Sequence, residues 1–231
     1  MLVLMTLRNY KMNILNELLN LSEAAKGTTL VGLTINKKLV TAETKNEVWH
    51  GDFSCRNNPV LTSLKGSPKE VTGGDFDCSI NDNLTSLKGS PTKVTGNFWC
   101  GNNPKLVSLE SNLDEVTGYF SCGDNPSLTS LKGIPKIVGT ISCTNNPKIT
   151  SLEGIHKQIT RLKGRFIANK TPIKTHVLGL LLINGCTEVI FDNKEVAAIL
   201  NKYLPNTRGN KAVIDCQYEL SDAGFDDFAE L

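Results

Sequence analysis

Through the middle of the chain, apolar residues fall two apart, then after a polar break three apart, and the pattern returns after about 22 residues. The pairs two apart are Phe53 and Cys55, Phe76 and Cys78, Phe98 and Cys100, Phe120 and Cys122, Ile141 and Cys143, and Phe166 and Ala168. That spacing puts both members on one face of a short strand, with the residues between them on the other. An apolar residue precedes each pair: Trp49, Val71, Val94, Val116, Ile137 and Leu162. A second apolar pair follows: Leu61 and Leu64, Leu84 and Leu87, Leu106 and Leu109, Leu128 and Leu131, Ile149 and Leu152. One such unit cannot bury its apolar face alone, so the period predicts a solenoid whose rungs cover one another.

The polar residues recur with the same discipline. Three positions after each cysteine stands Asn58, Asn81, Asn103, Asn125 or Asn146. An asparagine amide at a sharp bend can satisfy backbone groups left unpaired where a strand ends, so stacking predicts an asparagine ladder. Ser63, Ser86, Ser108, Ser130 and Ser151 form another small polar row between the leucines, and Lys-Gly-x-Pro turns the chain back. The copies deviate in places. One extra residue, Gly73 or Gly74, predicts a bulge between Val71 and Cys78. The third copy loses its turn glycine and proline at residues 109–113, and the loop holding His156, Lys157 and Arg161 is lengthened.

The pattern F-x-C-x-x-N resembles the strand and turn of the leucine-rich-repeat family, with Phe and Cys in place of strand leucines and no room for a convex helix. The wording N-P-x-L-T-S-L-K-G-x-P is similar to repeat proteins, mostly uncharacterised, of large tailed bacteriophages and some bacteria. The resemblance covers residues 48–169, with residues 30–36 as a degenerate opening copy. It implies a scaffold and says almost nothing of a partner.

The ends read differently. Residues 13–21 place Ile14, Leu15, Leu18, Leu19 and Leu21 on one side of a helix that would cap the first rung, with Met12 an alternative start to Met1. After Pro172, the apolar runs at residues 177–183 and 189–191 suit buried strands, with Asn184-Gly185 as a turn. Asp192 or Asn193 can cap a helix reaching Leu204; residues 212–223 give another helix ended by Gly224, and residues 225–231 a short last one. Ile199, Leu200, Tyr203, Ile214, Cys216, Leu220, Phe225 and Phe228 are the expected packing residues of this tail. The expected architecture is mainly β with helical caps: a leucine-rich-repeat-like solenoid of about six short-strand repeats. Its divisions are a helical cap at 1–28, the solenoid at 29–171 and an α/β cap at 172–231.

Composition narrows the function. A formal net charge of +2, with lysine and arginine scattered, lacks the basic stripe a nucleic-acid partner needs. No apolar run is long enough for a membrane span, and Arg8 and Lys11 interrupt the apolar start. The seven cysteines show no zinc spacing, and Ala168 in the cysteine slot favours packing over chemistry, as in a reducing cytoplasm. His50, His156 and His176 lie in separate segments, and no catalytic motif is present, so neither an enzyme nor a cofactor is expected.

The outward strand positions are mostly small or polar, but Trp99 and Tyr119 break that rule at the centre of the array, beside Gly101 and Gly123. Exposed aromatics among small residues have the composition of an interface hot spot; cross-strand stiffening of the sheet is the alternative. Asp52, Asp75 and Asp77 mark an acidic patch at one end and Arg165 the other. The chain is therefore expected to be a protein-binding scaffold, monomeric or weakly oligomeric. A phage product engaging a host factor in the host cytoplasm is the leading form, and a virion-associated structural subunit the alternative.

Overall fold

The structure, a computed structural model, describes Leu30 and residues 34–35, 38–40, 44–204 and 210–231. The expected helix at residues 13–21, the 1–28 cap and the Met12 question lie outside the described residues. Two short strands, β1 (Thr34–Ile35) and β2 (Lys38–Leu39), pair antiparallel. Within the expected opening copy at residues 30–36, residues 31–33 and 36 lie outside the described residues. Leu30 behaves as a repeat residue: it is buried, and its N–H donates to the Lys65 carbonyl just as that of Leu64 donates to Lys88.

The remaining strands join one parallel sheet. They are β3 (Val48–His50), β4 (Phe53–Ser54), β5 (Glu70–Thr72), β6 (Phe76–Asp77), β7 (Lys93–Val94), β8 (Phe98–Trp99), β9 (Glu115–Ser121), β10 (Ile137–Ser142), β11 (Arg161–Leu162), β12 (Arg165–Ala168) and β13 (Glu188–Phe191). The result is a β solenoid of about seven turns with few helices. It runs one turn beyond the legible repeats because β13 pairs in register with β12, Phe191 beside Ala168.

Early rungs break into two strands at a glycine corner, where Gly51 and Gly73 take φ of 87° and 70°. Gly73 is thus the inserted residue, and it separates β5 from β6. The rungs of β9 and β10 run straight through, and the last repeat breaks again into β11 and β12. A Cβ on Gly96 would lie 2.3 Å from the Gly74 carbonyl oxygen, and one on Gly118 would lie 2.8 Å from that of Gly96. The recurring glycine of V-x-G-x-F therefore permits rung backbones to stack at this corner. In β10 the register shifts between Val138 and Thr140, so Val138 is the residue that enters the core beside Val116 and Leu162. Ile137 is only half-buried, which corrects its expected place.

Inside the coil, Phe53, Phe76, Phe98 and Phe120 stack with centroids 5.2, 5.0 and 5.6 Å apart and nearly parallel planes. All four are buried, each burial contributing about 1.5–3 kcal/mol. The cysteines and Ala168 form a buried row beside them, and the paired leucines close the opposite wall.

The asparagine ladder is present. Asn58 N donates to Asn81 Oδ1, Asn81 N to Asn103 Oδ1, Asn103 N to Asn125 Oδ1 and Asn125 N to Asn146 Oδ1, at 2.7–3.0 Å. Thr171 Oγ1 takes the last place. From Asn81 to Asn146, each amide Nδ2 donates to the carbonyl of the cysteine three residues back. The residue before each rung (Asn57, Ile80, Asn102, Asp124, Asn145, Lys170) sits in the left-handed region with φ of 52–58°, which makes the bend sharp enough for this reach. Ser108, Ser130 and Ser151 each accept from the N–H two residues on, and across rungs Ser86 pairs with Ser108 and Ser151 with Thr175.

The lengthened loop contains one helical turn, α1 (Ile155–Gln158). The expected strand at residues 177–183 is instead a 3-10 helix, Val177–Leu182. Its buried residues are consecutive from Val177 to Leu181, as the apolar run requires of either a helix or a strand covered on both faces. Helix α2 (Lys194–Tyr203) begins at Asn193, whose side chain accepts from Val196 N. Helix α3 (Asn210–Asp222) ends at Gly224, with φ of 80°. Its inward face carries Val213, Cys216 and Leu220, while Ile214 is 47% exposed and leaves the expected packing set. The amide of Asn201, on α2, clamps the last strand: it accepts from Val189 N at 2.7 Å and donates to Val189 O at 2.9 Å.

Candidate functional site

The outer face of the sheet brings five of the six expected site residues, Asp52, Asp75, Trp99, Tyr119 and Arg165, into one connected group. Trp99 leaves the end of β8, and Tyr119 lies within β9 one rung on; their rings are 6.4 Å apart and 11° from parallel. Both are half-buried. Trp99 Nε1 donates to Asp75 Oδ2 at 3.0 Å, and Tyr119 Oη accepts from Arg165 Nη2 at 3.0 Å. Arg165 was expected at the far end of the array, yet its length carries it back past the Thr140 rung to the aromatic pair.

The acidic residues have a second task. Asp52 Oδ1 accepts from Asp75 N, Asp75 Oδ1 from Asn97 N, and Asn97 Oδ1 from Tyr119 N, each at 2.8 Å. A second side-chain ladder thus runs along the outside of the glycine corner. Burial pushes the Asp75 carboxyl up, but hydrogen bonds from the Asn97 N–H, the Trp99 indole and the Asn97 amide outweigh it and hold it below the ordinary carboxylate value. Asp77 is apart from this ladder: its Oδ1 accepts from Ser79 N and Oγ, and Arg56 stands 3.6 Å from its Oδ2.

Beside Trp99 a groove of about 320 Å³ opens, with Arg56 and Asp77 at one end and Asp124 at the other. Asn102 and Asp124 line it from the left-handed corners, a contribution the sequence reading missed. The signal was available in Asn102-Asn103 and Asp124-Asn125: an Asx residue before a ladder asparagine tolerates positive φ and must point outward.

Elsewhere the chemistry is that of packing. All seven cysteines are free and buried. Burial pushes the Cys122 thiol up to about 12, and those of Cys78, Cys100 and Cys143 well above their ordinary value. His50 Nδ1 lies 2.9 Å from Thr72 Oγ1, and His176 Nδ1 lies 2.9 Å from Ser151 Oγ, so each bonds a hydroxyl on a neighbouring rung. Among the described residues, no cluster of His, Cys, Asp and Glu is arranged to hold a metal ion, and no helix is long and apolar enough to cross a membrane. No known protein family, curated protein or solved structure matches the chain.

Proposed function

We propose that the chain is a non-enzymatic recognition scaffold that binds a protein partner through the outer face of its solenoid, centred on Trp99 and Tyr119. The observation that carries this reading is the fixed, half-exposed aromatic pair held from one side by Asp75 and from the other by Arg165. Rings already locked in place lose little freedom on binding, and aromatic anchors ringed by polar groups dominate interface energies. Asp52, Asp77 and the exposed edge of Arg165 form the rim. The likeness of the repeat wording to leucine-rich-repeat and phage proteins favours a host factor as the partner. Affinity capture from host lysate, comparing the wild type with Trp99→Ala/Tyr119→Ala, tests the reading. A partner recovered by the wild type and lost by the double variant supports it; a partner fully retained by the variant removes the aromatic face from the account.

A further inference from the structure

We propose that the groove beside Trp99 is a saccharide-binding site. It goes beyond the protein-binding reading, with which it shares Trp99 and Asp77, and it stands on the chemistry of the groove. Seven side chains line it, those of Arg56, Asp77, Trp99, Asn102, Ser121 and Asp124 together with Ser79, which is bonded to Asp77. Gly101 and Gly123 leave its floor free of side chains. A second shallow groove of about 500 Å³ shares Asn102 and Asp124 and continues along the Asn-Pro corner past Pro104 and Pro126. Together they make an open cleft of small-ligand size that a chain-like molecule can pass through.

The lining is matched to a polyhydroxylated ring. Each sugar hydroxyl both donates and accepts, and the groove offers a guanidinium and an amide to donate, two carboxylates to accept and a serine hydroxyl to do either. The apolar C–H face of such a ring needs an aromatic wall, and Trp99 supplies one. That wall is preorganised, since Asp75 fixes the indole N–H and Tyr119 packs parallel to it. The polar groups are held as well: Ser79 fixes Asp77 Oδ1, and Asn145 Nδ2 donates to Asp124 Oδ1 at 2.5 Å. Charge points to a neutral ligand. An anion meets two carboxylates, while a cation finds Asp77 already faced by Arg56 at 3.6 Å.

The test uses the purified full chain, titrated with neutral glucose-, galactose-, mannose- and N-acetylglucosamine-based oligosaccharides and, in a separate arm, with a lysine-rich peptide. Tryptophan emission is the readout, because Trp49 is buried and Trp99 is the only other tryptophan. The expected result is a saturable shift with one saccharide class, unchanged between low and high salt because the ligand carries no charge. Trp99→Ala, read by calorimetry, weakens binding at least about tenfold. Asp124→Asn, which suits the left-handed corner as Asn102 and Asn145 do, weakens it several-fold and leaves the thermal midpoint unchanged. No saturable shift with any of the saccharides up to about 10 mM overturns the proposal. Binding indifferent to both substitutions, or binding of the lysine-rich peptide alone and lost in high salt, overturns it too. Protein capture that survives Asp124→Asn while saccharide binding weakens separates this site from the protein-binding reading.

Discussion

The indole N–H of Trp99 is bonded to the carboxylate of Asp75, one rung earlier and 24 residues away in the chain. The same carboxylate accepts the Asn97 backbone N–H, so one residue both closes a backbone gap and aims the most prominent aromatic of the outer face.

The first prediction follows from that coupling. The Asp75 carboxyl is held below its ordinary value of 3.8, so it protonates less readily folded than unfolded. Its contribution is therefore complete above that value and is lost as pH falls through the lower folded value. An acid titration should show a change in Trp99 emission with a midpoint below 3.8. Asp75→Asn should abolish that step and cost about 1 kcal/mol at neutral pH, because the amide NH₂ then faces the indole N–H and the partly exposed charge is screened. A step that persists in the variant would show that another carboxyl controls the indole.

The ladder asparagine should be far more sensitive than the corner residue beside it. Asn103 is buried; its Oδ1 accepts from Asn81 N, and its Nδ2 donates to the carbonyls of Cys100 and Cys78. Asn103→Ala strands one buried N–H and weakens two carbonyls, at about 1–3 kcal/mol for each group left unsatisfied. A total near 3–5 kcal/mol is expected from urea unfolding, against less than about 1 kcal/mol for Asn102→Gly next to it, where positive φ suits glycine. Equal losses at the two positions would contradict the ladder.

This contrast also explains how far the sequence could be read. Cys-x-x-Asn announced itself because each rung must repeat the same packing and the same bend, and period alone carries that information. The bond from Arg165 to Tyr119 joins residues 46 apart that skip a rung, and no periodic signal records it. Residues 177–183 misled for a related reason. An unbroken apolar run states that it is buried without stating how, and here the space between the last rung and the helices selects a 3-10 helix. In α3, Ile214 and Val213 are adjacent, and only the packing direction decides which faces inward.

Thiol chemistry gives a third prediction. Cys186 is 8% exposed and pushed up to about 11 by burial, while Cys122 is fully buried and pushed to about 12. At pH 8 even Cys186 is only about one-thousandth thiolate, so native labelling by a thiol reagent should be slow. Mass spectrometry should find Cys186 modified first, with the row from Cys55 to Cys143 labelled only in step with global unfolding. Early labelling of Cys100 would mean that the coil opens locally at its centre. Cys100→Ala should cost only about 1 kcal/mol, since Ala168 already fills the equivalent slot and the thiol donates just one weak bond, to Ser121 O at 3.3 Å.

The last prediction concerns the end of the sheet. A solenoid's final strand presents unpaired backbone groups that invite another chain to add on. On β13 the Asn201 amide answers both the N–H and the C=O of Val189, acting as a side-chain substitute for a further strand. Asn201→Ala should remove both bonds and cost about 1–3 kcal/mol. It should also expose the edge, so light scattering should detect a concentration-dependent increase in mass that the wild type lacks. Asn201→Asp keeps the acceptor for Val189 N and loses only the donor, so it should fall between the two. If Asn201→Ala destabilises the chain without associating, the edge is protected by the packing of α2 itself, and the amide serves stability alone.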